Sequence, residues 1–225
     1  MSQPGSSAAL VPAAGMGTRL GRGPKCLLRI GDRSLLEILV DTLSPLVDEV
    51  LVAIPEGYEQ QAEAALHSRG SVIVGGATRQ QSIDRLIEAS TADLLLIQDA
   101  ARPFPSAQLC TDVLAAARQY DAAGAFLDPT VPVGRIDGNR VASCLDRHEA
   151  GIFQAPQAFT RDTLLEARQR CGDREYQSTA QMLIAAGYAL RTVPGEPRNI
   201  KITTPLDWQI ATRVIAPGLG LDHPQ

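Results

Sequence analysis

Only two lysines, Lys25 and Lys201, stand among the 21 basic residues of this 225-residue chain. Arginine serves everywhere else. A lysine kept against that bias suits a site that needs a compact ammonium, which a planar guanidinium cannot replace. Lys25 closes a glycine-rich stretch, VPAAGMGTRLGRGPKC (residues 11–26), that also carries Arg19 and Arg22. Glycines let backbone N–H groups approach a ligand that a Cβ would hold off. Arginine and lysine are the side chains that neutralise phosphate. The stretch therefore reads as a cradle for a phosphate compound.

Two common phosphate motifs fail on it. A P-loop requires GxxxxGK[ST], but Lys25 stands between Pro24 and Cys26. Gly15, Gly17 and Gly21 give GxGxxxG, one residue too long for the dinucleotide fingerprint. ATPase and dehydrogenase chemistry fall with them. A second feature lies downstream, where the run LLLIQD ends in Asp99. An acid at the carboxyl end of a buried strand is placed to hold Mg²⁺, or another divalent cation, between phosphates. Arg102, three residues on, supplies a further anion contact.

These groups need a scaffold, and the apolar pattern supplies one. Short β-branched or leucine-rich runs at 50–54, 71–74 and 94–97 read as buried parallel strands. Helical periodicity covers 35–43, 59–68, 80–89, 107–120 and 160–170. Such alternation predicts an α/β fold, a single doubly wound and mostly parallel sheet with helices on both faces. Residues 128–147 interrupt it. The turn Asp137-Gly138-Asn139 between short extended pieces predicts a β-hairpin arm projecting from the core, at about 129–152. No linker divides the chain, so residues 1–225 are expected to form one domain carrying that arm.

Composition narrows the function further. A net charge of -4 argues against nucleic acid and against a membrane surface as partners. No apolar run reaches the roughly 18 residues of a membrane span, and the N-terminus lacks the pattern of a signal peptide. Cys26, Cys110, Cys144 and Cys171 form no CxxC pair and suggest no zinc site. A reduced, cytoplasmic protein is expected.

With these residues in view, the chain resembles the 2-C-methyl-D-erythritol 4-phosphate cytidylyltransferases. The likeness rests on PAAGMGTRLGRGPK, GGATRQQS (residues 75–82), DAARPF (99–104), Asp146-Arg147 and NIKIT (199–203), in order over residues 10 to about 211. It implies a nucleotide-diphospho-sugar transferase-like fold and a transferase that joins CTP to a small polyol phosphate and releases pyrophosphate. The best match of acceptor is 2-C-methyl-D-erythritol 4-phosphate, in non-mevalonate isoprenoid biosynthesis. The resemblance puts Arg19, Lys25 and Lys201 in catalytic positions. It lays Pro12, Ala13, Ala14, Gly15 and Gly17 along the nucleotide, and Gly75, Gly76 and Ser82 around the cytosine. Asp99 would face the metal, while Ala100, Arg102, Arg135 and Arg147 would serve the acceptor. It also implies a homodimer in which the arm carries Arg147 to the neighbouring subunit's acceptor site.

The acceptor side departs from the family pattern. Val133-Gly134-Arg135 stands for Thr-x-Lys, Ala155-Pro156-Gln157 for Thr-Pro-Gln, and Gln177-Ser178-Thr179 for Thr-Asp-Asp/Glu. A pentitol phosphate or a phosphonate therefore stays open as acceptor. A molybdopterin-type nucleotidyltransferase fits DAARPF and NIKIT poorly. A non-catalytic nucleotide-binding homologue would be expected to lose Arg19, Lys25, Asp99 or Lys201, and all four are present.

Overall fold

The computed structural model describes residues 5–15 and 23–221. Along the chain run β1 (Ser7–Pro12), β2 (Arg29–Ile30), β3 (Arg33–Ser34), α1 (Leu35–Leu43), β4 (Glu49–Ile54), α2 (Glu59–Leu66), β5 (Ser71–Val74), α3 (Arg79–Ala89), β6 (Leu94–Ile97) and α4 (Ala107–Tyr120). They are followed by β7 (Ala122–Leu127), β8 (Val133–Asp137), β9 (Arg140–Leu145), β10 (Ile152–Thr160), α5 (Arg161–Cys171), α6 (Thr179–Ala185), β11 (Arg191–Pro194) and α7 (Pro205–Ile210), which continues into a π turn, Ala211–Ile215.

Seven strands form one sheet in the order β11-β7-β10-β6-β1-β4-β5. All neighbours are parallel except β10, which runs antiparallel to both β6 and β7. The sheet is thus mostly parallel, as the alternation predicts. Strand side chains alternate between two cores. Ala9, Val11, Leu94 and Leu96 face α1, α2 and α4, whereas Ala8, Leu10, Leu95 and Ile97 face α3, α5 and α6. Both faces are covered, so these strands are apolar throughout rather than alternating. From β1 the chain proceeds outward through β4 to β5, then returns to place β6 on the other side of β1. The reversal point between β1 and β6 opens a crevice at their carboxyl ends, where open α/β sheets bind ligands.

Local signals set the helix starts. Ser34 and Glu37 form a reciprocal capping box on α1, and Thr204 and Asp207 form another on α7. Thr78 and Ser106 accept from the third backbone N–H of α3 and α4 respectively. Strands β8 and β9 pair only with each other, and the turn between them has Gly138 at φ +59°. That left-handed backbone is why the DG dipeptide marked the hairpin.

Three features differ from the expected pattern. β7 reads AAGAFL and has too little β-branched character to announce itself. β10 contains Pro156, ordinarily a mark against a sheet interior, and the ladder shifts register between Phe153 and Gln157 to accommodate it. The NIKIT segment is extended but is not a strand of the sheet. Ile202 N–H donates to Ala101 C=O, and the chain then turns at once into the α7 cap.

Candidate active site

Asp99 is the hub of the crevice. It continues the side of β6 that faces α3, and there it meets the first residue of that helix. Arg79 Nε and Nη2 donate to Asp99 Oδ1 at 3.0 and 2.8 Å. Lys201 Nζ donates to Asp99 Oδ2 at 3.0 Å. Burial pushes the carboxyl pKa upward, but the charges and hydrogen bonds of Arg79 and Lys201 outweigh it and bring the group down to about 2. Asp99 is therefore a fixed anion that aligns two cations from distant parts of the chain. Its side chain is 14% exposed, while that of Lys201 is 43% exposed and open to a ligand.

The second lysine arrives from the other side. A single 3₁₀ turn (Lys25–Leu27) is pinned by Cys26, which is buried and contacts the Ala13 carbonyl through Sγ. Burial raises the Cys26 thiol to about 12, so it packs as an inert small residue. Lys25 Nζ donates to the carbonyl of Ile202 at 3.2 Å. The two lysines, 176 positions apart by their numbers (201 − 25), are thus joined through adjacent residues of one segment.

The residues expected around the base also converge. Ala13 N–H donates to Ala53 C=O, and Gly75 N–H to Ile54 C=O, which extends β1 and β5 past their regular ends. A Cβ on Gly75 would lie 2.5 Å from the Cβ of Ala14 and 3.0 Å from Ser82 Oγ. Gly75 is therefore required by this close approach. Gly76 N–H donates to Ser82 Oγ, which itself donates to Thr78 C=O, so the hydroxyl shapes the loop from a buried position. Pro12 ends β1 half-buried, and Gly15 is exposed at the loop entrance. Gly17 and Arg19 lie outside the described residues.

Among the residues expected at the acceptor, Arg102 Nη1 donates to Asn199 C=O at 2.7 Å, while its Nε is buried with no partner among the described residues. Burial lowers the Arg102 pKa and Asp99 raises it. A half-buried guanidinium held at one nitrogen keeps its charge for an anion. Ala100 is 4% exposed within the core, so only its backbone can meet a ligand. Arg135 on β8 and Arg147 after β9 are exposed on the ribbon and join no cluster among the described residues. At the departures, Ser178 caps α6, Ala155 and Thr179 are buried, Gln177 is exposed and Val133 is half-buried.

Sequence reasoning missed Arg79. It lies inside the GGATRQQS motif, and its place at the start of a helix directly after the glycine pair was the available signal. It also missed the buried amides Gln98, Gln154 and Gln157, which look like ordinary strand-end polar residues.

The sequence model of a family described as 2-C-methyl-D-erythritol 4-phosphate cytidylyltransferase matches residues 7–216. A protein of that name from Deinococcus radiodurans is 41% identical over 217 residues, covering 94% of this chain and 92% of its own. One from Thermus thermophilus is also 41% identical, over 90% of this chain and 93% of its own. A crystal structure of an enzyme of that name, also from Thermus thermophilus, superposes with a TM-score of 0.79 at 34% identity, covering 92% of this chain and 98% of that one. A 4-diphosphocytidyl-2C-methyl-D-erythritol synthase from Anaerococcus prevotii gives 0.82 at 26% identity, covering 92% and 96%.

Proposed function

The chain belongs to the 2-C-methyl-D-erythritol 4-phosphate cytidylyltransferase family, and on that premise we propose how its residues divide the work. It is a nucleotidyltransferase that joins CTP to 2-C-methyl-D-erythritol 4-phosphate in isoprenoid biosynthesis. The observation that carries the assignment of roles is the Asp99 hub, which gathers Lys201 and Arg79, with Lys25 one residue away at Ile202, at the sheet's reversal point.

The acceptor phosphate attacks the α-phosphorus of CTP, a bond to phosphorus forms, and pyrophosphate leaves from the opposite side. No covalent work falls on the protein. Charge that builds on the α-phosphoryl oxygens is met by Lys25 and Lys201, both anchored before reaction, and by Arg19. Ala13, Ala14 and Gly15 lie along the nucleotide, with Pro12 and Gly17 at either end of that stretch. Gly75, Gly76 and Ser82 enclose the cytosine, where the close packing of Gly75 on Ala14 leaves a narrow slot. Arg102, half-buried and held at Nη1 by Asn199 C=O, takes the acceptor phosphate through its charge.

Magnesium ion, or another divalent cation, fits this crevice by way of the triphosphate. Among the described residues no group of three His, Cys, Asp or Glu could hold a metal by itself. Such ions commonly take one or two carboxylates and fill the remaining positions from phosphate and water. Asp99 is the carboxylate in place, and the ion would neutralise charge on the triphosphate.

The arm makes the second subunit part of the site. Its ribbon leaves Ile136, Val141 and Leu145 between 50% and 64% exposed, more apolar surface than a free two-stranded hairpin readily supports. A homodimer covers that surface and brings Arg135 and Arg147 to the partner's acceptor. Free thiols at all four cysteines fit a cytoplasmic setting. No helix among the described residues is long and apolar enough to cross a membrane.

Base choice tests the pocket. With Mg²⁺ and acceptor present, CTP should be used at least about tenfold better than GTP or ATP, a gap near 1.4 kcal/mol. The measurement is initial pyrophosphate release at equal nucleotide. Equal use of GTP would remove the cytosine assignment of Gly75, Gly76 and Ser82.

A further inference from the structure

Gln98 is fully buried where β6 ends, directly beneath Asp99. Its backbone N–H continues the sheet by donating to Leu10 C=O at 3.1 Å. Its side-chain Nε2 donates to Arg102 C=O at 2.8 Å, but its Oε1 is buried without a partner. An amide satisfied at one end only is a poor choice for stability in a run of leucines. An apolar residue of similar volume would avoid burying an unpaired carbonyl. Such a residue is expected where function is favoured over stability.

The side chain's hydrogen bond shows what it holds. Asp99 and Arg102 are the two ends of a single turn, closed by Arg102 N–H donating to Asp99 C=O. Ile202 N–H fixes the middle of the turn at Ala101 C=O. Gln98 fixes its far end. Beyond Arg102 the same scaffold continues through amides. Asn199 C=O accepts from Arg102 Nη1 and Gln154 Nε2, and Asn199 Nδ2 donates to Ala155 C=O.

We infer that Gln98 is a positioning residue for the acceptor phosphate, acting through its hydrogen bond to the Asp99–Arg102 turn. It touches neither substrate. Its amide sets the height of Arg102 above the sheet relative to Asp99, and so the separation between the acceptor's phosphate and the α-phosphorus it attacks. The inference rests on Arg102 being the acceptor-phosphate residue.

The test compares Gln98→Met and Gln98→Leu with Arg102→Lys. In both Gln98 variants the melting temperature should hold, because removal of the unpaired Oε1 offsets the donor lost from Arg102 C=O. KM for 2-C-methyl-D-erythritol 4-phosphate should rise by about tenfold, with KM for CTP within about twofold of wild type. A purely structural Gln98 would instead lower the melting temperature and leave both KM values alone. Should Gln98→Met fail to fold, Gln98→Leu carries the measurement; failure of both would overturn the inference, because it demands that the fold not depend on this amide. If Arg102→Lys raises the acceptor KM and the Gln98 variants do not, the inference falls while the reading of Arg102 stands. If Arg102→Lys also leaves the acceptor KM unchanged, that reading falls, and the inference with it.

Discussion

Lys201→Ala and Lys25→Ala should each lower kcat by roughly 10²-fold or more, about 2.7 kcal/mol of transition-state stabilisation. The expectation follows from where the ammonium groups are anchored. Lys201 is held by Asp99 and Lys25 by the carbonyl of Ile202. They are therefore oriented before substrate arrives and need no reorganisation when charge develops on the α-phosphoryl group. Removing Lys201 leaves Asp99 its two hydrogen bonds from Arg79, so the carboxylate is not stranded and the fold should persist. Lys201→Arg should recover little, since a planar fork cannot replace a point charge in the same place. Steady-state kinetics with saturating CTP and acceptor gives the answer. Near-normal kcat in both alanine variants would return the two lysines to ordinary surface cations.

Mixing two inactive variants, Lys25→Ala and Arg147→Ala, should restore activity to about a quarter of wild type. The arithmetic follows from a site shared across a two-fold axis. After exchange, half the dimers are mixed. Each mixed dimer has one site with both residues intact and one with neither. The arm motivates the claim, because Arg147 is exposed on a ribbon that pairs with nothing else in its own chain's sheet. Were it a solvated loop, Arg147→Ala alone would change stability or rate only slightly. The measurement is recovered turnover after subunit exchange, with exchange itself followed by tagged subunits. No recovery despite complete exchange would place Arg147 in its own subunit's site or in none.

Much of this fold was legible because its signals are local. The boundaries of α1 and α4, and of β5 and β6, follow from periodicity bracketed by caps such as Ser34 and Ser106. The hairpin was legible because Gly138 takes a left-handed backbone that few other residues tolerate. The sheet's far half was not. β7 is built from alanine and glycine, and β10 carries Pro156, so neither has the composition of a central strand. Their placement is decided by tertiary context, and the buried amides Gln154 and Gln157, which no local pattern announces, tie β10 to Glu196 and Ala180.

The site divided along similar lines. Lys25, Lys201 and Asp99 could be singled out by rarity and position, but their convergence depends on contacts between segments far apart in the chain. Arg79 could not be separated from the other arginines until α3 placed it against Asp99. Arg102 stood out as a cation, whereas the hold that Asn199 C=O keeps on its Nη1 is a property of the fold.

The most direct measurement follows the transferred group. The protein is incubated with CTP labelled at its α-phosphorus, 2-C-methyl-D-erythritol 4-phosphate and Mg²⁺, and the products are separated. The label should pass into the cytidine diphosphate conjugate of the acceptor, one for one with unlabelled pyrophosphate, and the transfer should slow by roughly 10²-fold or more in Lys201→Ala. Label that stays in CTP, or appears in CMP without entering the conjugate, would contradict cytidylyl transfer at the Asp99 hub.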